Sequence, residues 1–496
     1  MTAPEFDDTS SLILAAEECD DEQFSALHRF SKSDEAIIRK LTAHGPILLR
    51  GGRGSGKSAL MLAAYRRLWP STSDGSACGV YVSLRHLELL TTKAEAYEHF
   101  FCTLLLRCLR QTPQLSDLQF ESSPTVSSVQ QTLSEISSRL ERRLVLFFDD
   151  AAHIGRETSL ADFFDIFRTI SSSSVSCKAA IYPGVTRFGT RFDVFNDATV
   201  VEVARNDELP GFGEFFCEVM KARYSSSLSE DHFSNTLSRL DVAGFLGKAV
   251  LGNMRSFVFA CNELVKRMDS SVGYNLLTDV LLQLAANHYW PLLDELRPKL
   301  GAYEPLVDPA KSLAEQLFDA CAKSDGRPYA LVHRDITERL SKPFEMLEYV
   351  GFISRRDASR ALKSGGRGPR FSLNLCNILE RVHGARLTSE MFSRWTAQKS
   401  DPVEFHASGA LADLTTPPLK DDEAIEILSK PIEILAQSNA YPYGLTQAKI
   451  SVLKDAQILT VRDLGEASDE RLLGLPYVGE ATVRRFRNVV GQAVWM

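Results

Sequence analysis

Eight consecutive residues carry the clearest chemistry in the chain: Gly51, Gly52, Arg53, Gly54, Ser55, Gly56, Lys57 and Ser58. They fit GxxxxGK[ST], in which glycines let successive backbone N–H groups turn inward around an anion. A helix opening at Ala59 adds the partial positive charge of its N-terminus. Residues 51–59 are expected to cradle the phosphates of ATP, with Lys57 at the terminal phosphates and Ser58 as a ligand of Mg²⁺. The partner chemistry is the carboxylate pair closing the apolar run Leu144–Phe148. Asp149 is expected to hold the Mg²⁺ shell, and Asp150 to polarise water or act as general base. A glycine-rich turn or an acidic strand end would say little alone. In this order they predict a nucleotide-hydrolysing site.

Such a loop works only where a strand delivers it and a helix leaves it. The sequence predicts short apolar strands at Pro46–Arg50, Gly79–Ser83, Leu144–Phe148, Lys178–Tyr182 and Thr199–Val203. Between them, helices are predicted at Ala59–Leu68, Glu98–Leu109 and Ser127–Leu140. This alternation predicts a three-layer α/β domain over 24–205. Leu144–Phe148, apolar throughout, suits a parallel strand buried on both faces. Upstream, a helical spacing runs through Phe24, Leu27, Phe30, Ala36, Ile37 and Leu41, with Ser31 or Ser33 as a cap. Residues 1–23 read as an acidic flexible tail. Residues 206–300 read as helical throughout, 301–395 as helices followed by a basic hairpin, 396–440 as a linker, and 441–496 as a compact helical unit.

Composition narrows the classes. A chain of 496 residues exceeds one hydrophobic core, and length predicts roughly three or four domains. No apolar run is long enough to span a membrane. The acidic N-terminus (Asp7, Asp8, Glu17, Glu18, Asp20, Asp21) is unlike a signal or transit peptide. A cytoplasmic protein without a membrane partner is therefore expected. Nine cysteines stand singly with no CxxC pair, which argues against a zinc site. The net charge of −8 leaves nucleic-acid contact to local basic patches.

The phosphate loop, the acidic strand end and Gly252-Asn253-Met254-Arg255 together resemble an AAA+ ATPase of the Orc/Cdc6-like, STAND-related branch. The resemblance implies that Arg255, opening a lid helix, acts as the sensor-2 arginine at the γ-phosphate. Two positions depart from the family. Asp149-Asp150 stands where Asp-Glu is usual, which implies slower turnover. The strand ending at Tyr182 is followed by Pro183-Gly184 rather than the usual sensor-1 Asn, for which Thr186 is the substitute. Arg187, Arg191 and Arg205 either include an arginine finger for a neighbouring subunit or are plain surface arginines.

Tyr329–Glu380 resembles a winged helix. Helices at Arg334–Leu340 and Lys342–Val350 and strands at Gly351–Arg355 and Arg370–Asn374 carry that likeness. Residues 352–387 hold eight Lys/Arg against two acids. Arg355, Arg356, Arg360, Lys363, Arg367 and Arg370 are the candidate DNA contacts, dominated by the phosphate backbone. Glu345 and Glu348 on the second helix argue against base reading. Leu445–Thr482 resembles a helix-hairpin-helix domain of the RNA polymerase α C-terminal type. Lys449, Gly479 and Arg484 are its candidate nucleic-acid contacts. Tyr477 stands where the hairpin usually has Gly, Ala448 where the α-type contact arginine falls, and Glu480 where lysine is usual. DNA binding and protein docking both remain open for this unit.

The combined expectation is a slow, partner-stimulated ATPase, using ATP and Mg²⁺. Its nucleotide state would gate DNA binding through the winged helix, with self-association in the ATP state. Two alternatives stand beside it: a STAND-like signalling or phage-defence ATPase controlling a separate effector protein, and a DNA scaffold that holds ATP without turnover. Charge complementarity further suggests the acidic tail as an inhibitor docked on the basic wing.

Overall fold

The computed structural model describes residues 16–495, except 69–75, 87, 153–156, 186–187, 190, 270, 398–400, 420–425, 439–440 and 442–443. Thr186, Arg187 and tail residues 1–15 lie outside the described residues. Five strands, β1 (Ile47–Arg50), β2 (Ala77–Ser83), β3 (Arg143–Ala152), β4 (Val175–Ile181) and β5 (Thr199–Glu202), form one parallel sheet. Their order is β2-β3-β4-β1-β5. The register sets Leu48 against Ala179 on one side and Val200 on the other.

Side-chain alternation divides the sheet between two cores. Leu49, Val145 and Phe147 pack on the face covered by helices Lys32–Thr42 and Lys57–Arg67. Leu48, Leu146 and Phe148 pack on the other face, under helices Ala94–Gln111, Val126–Leu140 and Glu157–Ile170. Covering both faces is what the unbroken apolar strands require. The domain is thus the three-layer α/β fold expected for residues 24–205.

The N-terminal segment differs from expectation in two ways. The single helical spacing through Phe24–Leu41 is two helices, Asp21–Leu27 and Lys32–Thr42. Asp20 and Ser31 each build a reciprocal capping box, and the first helix ends at His28 before the Ser31 cap starts the second. The flexible tail assigned to 1–23 is, from Ala16 onward, a packed structure. Ala16–Glu18 forms a helical turn, and Ala16, Cys19 and Phe24 are buried with the Lys57–Arg67 helix.

The boundary between lid and hairpin domains at 300 does not divide the hydrophobic core. One core runs from Tyr182 and the lid helices to Leu411. Aromatic rings stitch the two parts: Tyr289 and Trp290 lie 5.8 and 5.0 Å from Phe352. Within it, helices Arg334–Arg339 and Ser341–Val350 occur close to where the sequence predicts them. A second sheet has the order β7-β8-β6-β9, with β6 (Tyr329–Val332), β7 (Ile353–Ala361), β8 (Arg367–Leu373) and β9 (Val403–Phe405). The hairpin of β7 and β8 is longer than predicted, leaving only Leu362–Gly366 as its tip. Strand β9 arises in the stretch read as a linker and pairs in parallel with β6. The other end of that stretch belongs to the C-terminal unit, whose core begins at Ile427 and includes Leu428, Ile432 and Leu435. Between them, residues 415–419 are exposed.

Candidate nucleotide-binding site

β1 points straight into the glycine loop, and the Lys57–Arg67 helix leaves it. Gly54 and Gly56 have φ of +77° and +97°, the left-handed conformation that an inward-facing row of amides demands. Lys57 is buried. Its ammonium donates to the carbonyls of Gly51 (2.8 Å) and Gly52 (3.2 Å) and sits 3.5 Å from the Tyr182 ring centroid. Burial pulls the Lys57 pKa down to about 7, partly offset by Asp150 and Asp149. The Arg53 guanidinium sits beside Glu295, 4.0 Å away. A loop with positive-φ glycines and a buried ammonium, with Lys57, Ser58 and Arg255 lining one cavity, fits a phosphate group.

The carboxylates lie opposite. β3 continues past them to Ala152, but its register with β4 breaks between Phe148 and Ala152, and Asp150 has φ +53°. That break swings both carboxylates toward the loop. Asp149 is held by the Tyr81 hydroxyl. Burial pushes the Asp149 carboxyl up to about 7, and the charges of Asp150 and Glu17 add to this. Asp150 is gripped on both oxygens: Arg85 Nε donates to one and the Tyr182 hydroxyl to the other at 3.1 Å. Asp150 is therefore engaged rather than open to a water molecule in this arrangement. The carboxylate oxygens of Glu17, Asp149 and Asp150 lie within 4.8 Å of one another.

The lid closes the cavity. Asn253 caps helix Met254–Arg267 through Ser256 N–H and donates from its Nδ2 to the Arg53 carbonyl at 2.6 Å. The Arg255 N–H donates to the Gly54 carbonyl at 3.2 Å, and its side chain lines the same cavity as Lys57 and Ser58. A methyl group at Gly54 would sit 2.7 Å from Arg255 Cβ and from Asn253 Oδ1. Gly54→Ala is therefore expected to cost ~1–3 kcal/mol of stability and to push the lid off the loop. A urea titration alongside a nucleotide titration checks this: the midpoint should drop and nucleotide affinity should fall with it.

Three residues that the sequence did not single out complete the site. Arg85, just past β2, ties Asp150 to Glu17. Tyr182 stands at the end of β4, where a sensor-1 side chain was sought, and bridges Lys57 and Asp150. Glu17 comes from the segment assigned to a flexible tail. Only Tyr182 had a legible signal, its place at a strand end beside the loop. Arg205, a candidate arginine finger, is instead internal. It donates to Ser55 O (2.7 Å), Gly252 O (3.4 Å) and Asp34 Oδ1 (3.0 Å). Arg191 is exposed.

The nucleic-acid candidates separate into two groups. Arg355, Arg360, Lys363 and Arg367 present exposed side chains on the β7–β8 hairpin. Arg356 and Arg370 do not: their side chains are 3% and 8% exposed. Arg356 pairs with Asp207 at 3.1 Å, and Arg370 with Glu208 at 2.8 Å and Asp357 at 2.6 Å. These two are corrected from DNA contacts to internal ties, because the acidic loop after β5 meets their side of the hairpin. The helix Ser341–Val350 also faces inward. The Arg53 N–H donates to the Tyr349 carbonyl at 2.8 Å, and Lys342 Nζ to the Gly184 carbonyl at 2.7 Å. In the C-terminal unit, Gly479 and Arg484 are exposed and Lys449 is half-buried. Tyr477 is fully exposed with φ +61°, the backbone geometry that glycine would hold at lower cost.

No family model and no curated protein matches the sequence. Among solved structures, the chain is similar to Cdc6p from Pyrobaculum aerophilum, at 10% identity over 79% of this chain and 98% of that one, with TM-score 0.33. It is similar to the ORC2 protein of Aeropyrum pernix, at 10% identity over 73% and 92%, with TM-score 0.35. It is also similar to a signal-transduction ATPase with numerous domains from Pyrococcus horikoshii, at 12% identity over 75% and 46%, with TM-score 0.28.

Proposed function

We propose that the protein is an AAA+-type ATPase of the Orc/Cdc6-like kind whose nucleotide state gates contact with duplex DNA. One observation carries the reading. Arg53, inside the phosphate loop, is bonded through its carbonyl to the lid (Asn253) and through its N–H to the helix of the basic hairpin domain (Tyr349). Any shift of the loop is felt by both. Gly52 makes the approach possible, since a side chain there would meet the Glu348 carbonyl at 2.9 Å.

Residues 51–59 would hold the phosphates, and Ser58 and Asp149 the Mg²⁺. Bound Mg-ATP would supply an electrophilic γ-phosphoryl group and the charge that Lys57 and Arg255 are placed to meet. Lys57 and the loop amides bind and orient. Tyr182 and Arg85 hold Asp150, whose release from Arg85 would free a carboxylate for a water proton. Arg255 joins the lid to the phosphate end. Arg355, Arg360, Lys363 and Arg367 supply an exposed cationic edge for phosphate tracking.

The test is steady-state ATP hydrolysis with and without duplex DNA at fixed salt. Stimulation by DNA is expected, and replacing Arg360, Lys363 and Arg367 together by Ser should remove most of it. Turnover that ignores DNA would reject this reading and favour a signalling ATPase. The inward-facing helix Ser341–Val350 supports that second reading, because it spends on the phosphate loop a surface that a DNA reader would expose.

A further inference from the structure

The turn Ala16–Glu18 lies inside the cavity bounded by the phosphate loop and the lid. Ala16 and Glu17 line that cavity together with Lys57, Ser58, Arg85 and Arg255. The cavity measures ≈ 100 Å³, well below the ~300–1,000 Å³ of pockets that hold small ligands. Glu17 pairs with Arg85 Nη2 at 3.2 Å. One of its carboxylate oxygens lies within 4.8 Å of one from Asp149 and one from Asp150, and Ser58 lines the same cavity. These are the groups assigned above to the metal and its water shell.

The segment is anchored, not merely laid in place. Cys19 N–H closes the turn on the Ala16 carbonyl. Phe24 is buried, with the Arg66 guanidinium 4.0 Å from its ring centroid, and Arg66 pairs with Asp21 at 2.9 Å. Both anchors rest on the helix that leaves the phosphate loop. The inward end gathers three carboxylates around Arg85 and Lys57. The segment is thus held at one end by packing on the helix Lys57–Arg67 and at the other by charge inside the cavity.

Resting on the nucleotide-site reading above, we propose that residues 16–24 are an autoinhibitory strap whose Glu17 carboxylate holds the place of a phosphate oxygen. Glu17 and a triphosphate present the same charge and acceptor chemistry to Arg85 and Ser58, and the space admits one of them. Nucleotide binding then requires the strap to leave, and its departure frees Arg85 from one of its two carboxylates. The inhibitory contact proposed is thus at the phosphate loop.

The test titrates a fluorescent ATP analogue (mant-ATP) with Mg²⁺ into the full chain, as wild type, Glu17→Ala, Glu17→Gln, and each combined with Lys57→Ala. The expected result is roughly tenfold tighter binding in both Glu17 variants, lost again in the combinations. Affinity that is unchanged or weaker in both Glu17 variants, with dependence on Lys57 intact, overturns the strap and leaves the nucleotide site standing. Binding that persists without Lys57 overturns the site reading, and the strap with it. Hydrogen exchange gives a second readout: amides of 16–27 should exchange faster once Mg-ATP is added, and unchanged protection overturns the proposal.

Discussion

Lys57→Ala is expected to lower ATP turnover by roughly 10²–10³-fold while leaving the fold intact. The two effects separate because of where the ammonium sits. It is buried, held by two loop carbonyls and the Tyr182 ring, and burial already drags its pKa to about 7. A cation so desolvated contributes little to folding. Its worth lies in holding the phosphates and in meeting charge that develops on a transferred phosphoryl group. Turnover measured at an ATP concentration that saturates the wild type, next to a thermal melt, distinguishes the cases. A melting midpoint within about 3 °C of wild type with turnover gone supports this role. Loss of both together would make Lys57 a structural residue.

Asp207→Ala is expected to cost ~3–5 kcal/mol of stability, the largest single effect away from the nucleotide. Asp207 lies in the loop after β5, with its side chain 4% exposed. It gathers Arg356 at 3.1 Å, Lys248 at 3.1 Å and the Tyr329 hydroxyl at 3.1 Å. These come from the β7–β8 hairpin, the lid and β6. Removing the carboxylate strands two buried cations. Burial acts to raise the Asp207 pKa, but Arg356, Lys248 and the hydroxyl outweigh it and hold the carboxyl below its ordinary value of 3.8. A depressed folded pKa means the stabilisation is fully present above that ordinary value. It is lost as pH falls through the folded one. Chemical denaturation of wild type and Asp207→Asn should therefore show a constant gap above about pH 5 that closes in stronger acid.

How much of this was legible in the sequence depends on how local each signal is. The phosphate loop, β1 and the apolar run Leu144–Phe148 announce themselves, because strand, turn and helix chemistry there lie within a few residues of each other. The lid helix was visible through Gly252-Asn253-Met254-Arg255, the motif that opens it. The extension of β3 past Asp149 was not, since its path depends on a register break against β4. Glu17 was hidden for the opposite reason: acidic composition outweighed the sparse apolar residues Ala16, Cys19 and Phe24, whose partners lie on a distant helix. Arg356 and Arg370 read as DNA contacts because charge along the chain does not reveal which face of a hairpin meets Asp207 and Glu208. β9 was missed because a three-residue strand stable only by pairing with β6 has almost no pattern of its own.

The C-terminal unit keeps a core of its own, from Ile427 to Val494. A methyl group at Gly491 would lie 3.2 Å from the Arg85 side chain, and Lys299 Nζ is 5.4 Å from the Tyr441 ring centroid. The stretch between Leu414 and Glu426 tethers it. A short tether holds a module near its docking face at an effective concentration on the order of millimolar. A contact of only millimolar intrinsic affinity would then be half-occupied. Small changes in the competition for that face shift the balance, so this module can be captured by a rival surface of modest strength without any change in its own fold.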